Sequence, residues 1–528
     1  MRSRPILALA FAAGVVGCGA APRAVAPPVV EGPSRILYEA RARSADPWVI
    51  EVRATFEGGV GRGALAFPPA VSGVVVEEGG ATRSPEPYGR AWKLDCKATC
   101  TVNYAVDLSA AAELTEDAPT VALRSEGDML ALGSTWLMAP ESAAPETPAT
   151  IRVDVRDPAG GEPIRFAAPF ARDAGGDYHV VARDVRALGY TAWGRFAGFA
   201  VKATAGDVDV VVLRGPREAS DAALTRWIQT TALALDSVFG RFPIERTLIA
   251  VVPLEGSGDV EFGRTVPAGG ASIVLYVGEH ARETALYADW VLAHELVHLG
   301  VPSMPRDGTW IDEGLATYYG PVLRARAGLL SGDATWAEMA RILPMGVATA
   351  EEPALAAASE HDRVYFGGSL FALTADVEIR RRTGGSRSLD DGLRRALAEG
   401  ARATEVWSSQ RFVDALDRGV GARVVRPLFE RVQVASKPCG PALAAGLLRD
   451  LSACAPDDVV SLLALLDALG VRPGTGSQVE LSESAPLAGV RRGIVAKDPF
   501  VLASIARLAH SSSPGSGSAR ANAGVEDP

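Results

Sequence analysis

The residues best equipped for chemistry sit together in His294-Glu295-Leu296-Val297-His298. Histidines four residues apart share one face of a helix, a turn apart, so both imidazoles can reach a single ion. Zinc is the expected ion, and it needs a third protein ligand while one position stays open for water or substrate. Glu313 is the candidate, at the start of a second predicted helix in Trp310-Ile311-Asp312-Glu313-Gly314-Leu315-Ala316-Thr317-Tyr318-Tyr319. Such a set suits hydrolysis. The metal polarises a carbonyl and acidifies water, and Glu295, next to a ligand without being one, is placed to take the water's proton.

Together the two segments resemble the gluzincin metallopeptidases, whose second active-site helix reads W-x-x-E-G-x-A-x-Y. Within that clan the chain looks most like the glycyl aminopeptidase family, with the leukotriene-hydrolase-like aminopeptidases behind it, over roughly residues 220 to 400. The resemblance implies an N-terminal β domain joined to a thermolysin-like catalytic domain, one zinc per chain and a peptide or protein substrate. Tyr365-Phe366-Gly367-Gly368 resembles the Y-x-K-G element, which implies that Tyr365 stabilises the tetrahedral intermediate, although Gly367 stands in place of the usual lysine. Gly258-Asp259-Val260-Glu261-Phe262 resembles G-G-L-E-H, which implies that Glu261 takes the substrate's free amine; an exposed loop carboxylate is the plainer alternative. Gly269-Gly270-Ala271-Ser272 offers a backbone edge for an extended peptide, with Gly270 as a substrate-binding candidate, and His361 reads as a solvent-facing neighbour of Tyr365. The segment between His298 and Glu313 is shorter than in either family. The expected activity is that of an aminopeptidase; the alternatives are an endopeptidase of the same fold and a catalytically silent lipoprotein that binds peptides or a protein partner.

These residues need elements to hold them. Val291, Leu292, Leu296, Val297 and Leu299 give apolar surface to a helix over 284–299, which Gly300 and Pro302 end, and Thr309–Arg326 reads as the next helix. A helix over 219–239 and strands over 247–252 and 272–277 precede them. A helix over 364–382 follows, and Ser388 with Asp391 forms a capping-box pattern for another. Residues 35–216 alternate in short runs split by Gly, Pro and Asp, an all-β, sandwich-like pattern. The expected organisation is thus multidomain: this β-rich part, an α+β and then helical catalytic domain over 217–438, a small helical region over 439–510 and a disordered tail over 511–528.

The 528 residues are 48% hydrophobic and 22% charged, ample for more than one core. Lys and Arg number 53 against 63 Asp and Glu, a formal charge of −10 with no basic tract, which argues against nucleic acid as a partner. No charge-free apolar run reaches membrane-spanning length. Arg2 and Arg4, the apolar run Ile6 to Phe11 and Val15-Val16-Gly17-Cys18 read as an export signal over 1–17. Its end resembles the bacterial lipobox, which implies a lipid on Cys18, a Pro-rich tether over 18–34 and a membrane-anchored location in the bacterial cell envelope, outside the cytoplasm; an ordinary cleaved signal is the alternative. The other four cysteines suggest two local disulfides, Cys96 with Cys100 and Cys439 with Cys454. Zinc binding by these four is the rival, but neither pair has the two-residue spacing of a zinc knuckle. Oligomeric state leaves no trace in the sequence.

Overall fold

A computed structural model describes residues 32–65, 68–114, 121–157, 159–161, 163–348, 353–433, 459–474 and 478–511. Cys18 with the export segment, the Cys439 and Cys454 pair and the tail from 512 lie outside the described residues. Among the described residues no helix is long and apolar enough to cross a membrane.

The N-terminal half is β-rich. Its first strand, Arg35–Ala45, buries Ile36, Tyr38, Ala40 and Ala42 and turns the residues between them outward, the period-two pattern of a half-buried strand. It pairs antiparallel with Trp48–Glu57 and parallel with Pro148–Asp154 inside a seven-stranded sheet. Two four-stranded sheets, built around Tyr190–Gly194 and Val60–Ala64, share the same apolar core. Trp136 and Trp193 meet edge to face there, with centroids 5.4 Å apart. A disulfide joins Cys96 to Cys100 between two strands of this half.

The second half is organised around a five-stranded sheet in the order Ala197–Lys202, Asp207–Val212, Arg246–Leu254, Ser272–Gly278, Val260–Val266. Its first two strands precede residue 217, where the sequence pattern places the start of the catalytic domain; they join this sheet because Asp207–Val212 pairs in parallel with Arg246–Leu254. One face, with Ile249, Val251, Ile273 and Leu275, packs on the helices. The other, with Leu248, Ala250, Val252 and Val274, packs on Leu130, Tyr190, Ala192 and Phe196 of the N-terminal half. The central strands Arg246–Leu254 and Ser272–Gly278 are therefore buried on both sides, which explains their near-continuous apolar runs. Strand Val260–Val266 runs antiparallel at the edge.

Helix Thr309–Arg326 has the bounds its sequence suggests. The 284–299 pattern divides into Glu283–Ala288 and Val291–His298, and the 364–382 pattern into a π-helical turn, Arg363–Gly367, and helix Gly368–Arg382. At Ser388–Asp391 the Asp391 carboxylate accepts the Ser388 N–H at 2.8 Å, as the capping-box pattern suggests, while the Ser388 hydroxyl donates to the Asp390 and Asp391 carboxylates. The C-terminal region holds helices Val459–Leu469, Ala488–Ile494 and Pro499–Ser511, with a small hairpin of Val471–Pro473 and Val479–Leu481 added to the expected helices.

Candidate metal centre and active-site cleft

Helix Val291–His298 begins where Asp289 caps it. The two carboxylate oxygens of Asp289 accept the amide N–H groups of Val291 and Leu292 at 2.9 and 3.0 Å, which is why the apolar pattern breaks here. Burial pushes the Asp289 carboxyl up to about 6 against those bonds. All eight residues of the helix are buried, so its orientation is set by packing on both sides.

His294, His298 and Glu313 converge, and among the described residues they form the one group of such side chains able to hold a metal ion. His294 Nε2 lies 3.2 Å from His298 Nε2 and 3.3 Å from Glu313 Oε2, and His298 Nε2 lies 3.5 Å from that oxygen. Ligand atoms about 2.0–2.1 Å from a tetrahedral zinc are separated by about 3.3–3.4 Å, so the three side chains fit that ion without rearrangement. Asp312 completes the arrangement: its Oδ1 is 2.7 Å from His298 Nδ1. With Nδ1–H donating to this carboxylate, the lone pair is left on Nε2, facing the ion. Burial opposes a charge on His298, but the carboxylates of Asp312, Glu313 and Glu295 outweigh it and push the pKa of the metal-free imidazole up to about 10. Burial likewise works against the Glu313 carboxylate, and its hydrogen bond with His294 and the two imidazoles bring it below the usual range.

Glu295 is held from the edge strand. The Thr265 hydroxyl lies 2.7 Å from Glu295 Oε2 and donates to it, with the Glu295 carbonyl oxygen 3.0 Å away. Two residues earlier, Gly263 lets the strand lie directly on the helix: a Cβ there would stand 2.5 Å from Val291 Cγ1 and 2.7 Å from Glu295 Cγ. Tyr365 rides on the π-helical turn, a local feature frequent at functional sites. Its ring stacks on His294, centroids 5.8 Å apart and planes 4° from parallel, and its phenol lies close enough to Glu313 to feel that carboxylate. Burial, then Glu313 and Glu295, raise its pKa, so the phenol stays protonated. That turn is brought in by a close approach of two helices: a Cβ on Gly314 would stand 2.3 Å from the Gly368 backbone. His361 is exposed and stacks on the outer side of Tyr365, with centroids 4.2 Å apart.

These side chains line a cavity of about 360 Å³, walled on one side by Phe262, Gly263, Arg264, Thr265 and Pro267 of the edge strand and its exit. A larger hollow, about 870 Å³, lies on the outer face of the seven-stranded sheet; its charged residues, such as Arg41 and Glu51, pair with one another, and none of the metal-binding group is there. Of the residues singled out in sequence, His294, Glu295, His298, Glu313 and Tyr365 come together at the smaller cavity, and Glu261 and Gly270 do not. Glu261 is exposed and accepts a hydrogen bond from Ser257, because 258–262 leads into a strand instead of forming an open loop. A Cβ on Gly270 would meet Phe170 and Pro169, so this segment packs on the N-terminal half and presents no free edge. Asp312, Thr265, Gly263 and Arg264 escape a motif-based reading. Only Asp312, next to Glu313, carried a local signal.

No protein-family model and no curated protein matches the chain. Solved structures do. An aminopeptidase N family protein from Idiomarina loihiensis is 15% identical, covering 85% of this chain and 82% of its own, with a TM-score of 0.60. A two-domain M1 zinc metallopeptidase bound to L-arginine is 17% identical over 78% of this chain and 96% of its own, TM-score 0.49. An M1 zinc metallopeptidase mutant from Deinococcus radiodurans, bound to a Tyr-Ser-Ala substrate, is 15% identical over the same shares, TM-score 0.48. The first of these likenesses shows that the chain has a gluzincin aminopeptidase-like fold, with a β-rich N-terminal part followed by a helical one.

Proposed function

We propose that the chain is a zinc-dependent peptidase that hydrolyses peptide bonds between the edge strand and helix Val291–His298. The observation that carries this reading is the tetrahedral spacing of three ligand atoms, with the Glu295 carboxylate, not one of the ligands, in the same cavity. Zinc, when bound there, supplies Lewis-acid polarisation of the scissile carbonyl and acidifies water. Glu295, held by Thr265, takes the proton of the attacking water and passes it to the leaving amine. Tyr365, a protonated phenol beside Glu313, donates to the developing oxyanion. A Cβ at Gly367, where a lysine would be expected, would stand 3.0 Å from Leu355 Cδ1, 3.1 Å from the Gly346 carbonyl oxygen and 3.3 Å from Arg363 Nη1, so the tyrosine acts without a lysine from this position.

Aminopeptidase action is the narrower reading, supported by the fold likeness to an aminopeptidase N family protein. One observation favours an endopeptidase instead. A free amine needs a carboxylate, and among the described residues lining the cavity each carboxylate is engaged: Glu295 by Thr265, Asp312 by His298 and Glu313 by the two histidines. N-acetylated and free peptides assayed side by side separate the two. Glu295→Gln tests the whole reading: the near-isosteric amide keeps the fold and the zinc, and turnover falls by about 10²-fold or more. Equal cleavage by mutant and wild type, or none by zinc-loaded wild type, leaves a silent peptide- or partner-binding lipoprotein as the better account. The export segment and Cys18 support a lipid-anchored place in the bacterial envelope. Cys18→Ala then moves the protein from the detergent phase to the aqueous one, and unchanged partitioning rejects the anchor.

A further inference from the structure

Among the described residues lining the cavity, Arg264 is the one cation outside the metal-binding histidines. It is exposed, on the edge strand between Gly263 and Thr265, the two residues that face Glu295. Arg264 forms no ion pair among the described residues. Its positive charge lies beside Tyr190, a side chain 1% exposed on a strand of the N-terminal half, and works against the rise that burial gives that phenol. Burial keeps that phenol neutral, so it stands beside the guanidinium without cancelling its charge. A guanidinium offers five N–H donors in a planar fork suited to a carboxylate, and a single phenol oxygen can take only part of that set.

Resting on the peptidase reading above, we propose that Arg264 reads a carboxylate on the substrate, placed within a residue or two of the scissile bond, with Tyr190 as its positioning residue. The substrate class is then peptides bearing an acidic side chain or a free C-terminal carboxylate at that position. This gives the N-terminal half a part in specificity, since it supplies the side chain that aims the guanidinium.

The test uses zinc-loaded full-length protein and alanine hexapeptides, acetylated or free at the N-terminus, amidated or free at the C-terminus, with one Asp, Asn or Lys at each position in turn. Wild type should favour Asp over Asn at one position, or free acid over amide, by about 10-fold or more in kcat/KM, mostly through KM. The two series distinguish a side-chain carboxylate from a terminal one. Arg264→Ala should bring that ratio close to one, and Arg264→Glu should turn the preference toward Lys. Tyr190→Phe should shrink the ratio while leaving the favoured position the same. A second readout is equilibrium binding of fluorescein-labelled Asp and Asn peptides to Glu295→Gln protein, which requires no turnover. If wild type cuts nothing, the peptidase reading falls and the binding ratio alone decides Arg264. A ratio near one in wild type, or a preference that survives both Arg264→Ala and Arg264→Glu, overturns the proposal.

Discussion

Replacing Asp312 with alanine separates two effects that the structure sets against each other. Asp312 holds His298 through a 2.7 Å bond and, at 28% side-chain exposure, is only partly screened by solvent. Losing a carboxylate that orients a metal-binding histidine costs about 10- to 100-fold in metal affinity, or about 1.4–2.7 kcal/mol. The same carboxylate, more strongly than Glu313 and Glu295, raises the His298 pKa to about 10 against burial. A ligand imidazole must lose its proton before it binds metal, so at neutral pH that proton competes with zinc. Asp312→Ala eases the competition while it loosens the ring. The sign follows: in wild type the competing proton is present below about pH 10 and lost above it, so the variant's deficit is partly masked at neutral pH and widens as pH rises. Zinc affinity measured by competition with a fluorescent chelator from neutral pH to about 10 reads this directly, with Asp312→Asn, whose amide oxygen still accepts, lying between. If Asp312→Ala binds zinc as tightly as wild type at the alkaline end, Asp312 does not orient the ligand. If its deficit is greatest at neutral pH, the account of the competing proton is wrong.

Zinc binding to the wild-type protein should release about one proton from His298 at neutral pH, seen by calorimetry in buffers of differing ionisation enthalpy; release of none would mean that the imidazole is already neutral. Gly263→Ala would put a methyl group 2.5 Å from Val291 Cγ1 and 2.7 Å from Glu295 Cγ, so turnover should fall by about 10-fold or more with zinc content unchanged. Full turnover in that variant would mean that the strand can lift off the helix without disturbing Glu295.

The parts of the site legible in the sequence are those set by local periodicity. His294 and His298 need only a helix to become neighbours, and helix Thr309–Arg326 announces itself by apolar spacing and places Glu313 at its first turn. What stayed hidden depends on pairing between distant segments. Thr265 reaches Glu295 because its strand pairs antiparallel with Ser272–Gly278 in one register, and a slip of one residue would turn Thr265 away from the helix. The same alternation decides between Glu261 and Arg264, since a carboxylate three residues from an arginine cannot be assigned a face before the register is known. Asp289 misleads for another reason: it lies inside an apolar helical pattern, yet its side chain bonds the backbone ahead of it and starts a new helix. The division of strands between the two halves is equally non-local, as Ala197–Lys202 and Asp207–Val212 look like the rest of the β-rich stretch.

The five-stranded sheet, covered by helices on one face and by the N-terminal half on the other, has a consequence for how the chain comes into being. A nascent or translocating chain delivers residues 35–196 first, and these alone leave Leu130, Tyr190 and Phe196 without the surface they close upon. A chain cut before Ala197 would expose the complementary face, Leu248, Ala250, Val252 and Val274, as an apolar patch of the kind that drives association. Neither half is a finished folding unit, so the two should melt in one transition, and proteolytic intermediates should be scarce. Helpers that shield apolar surface during biogenesis would be needed until the strand Ser272–Gly278 has arrived, more than half-way along the chain.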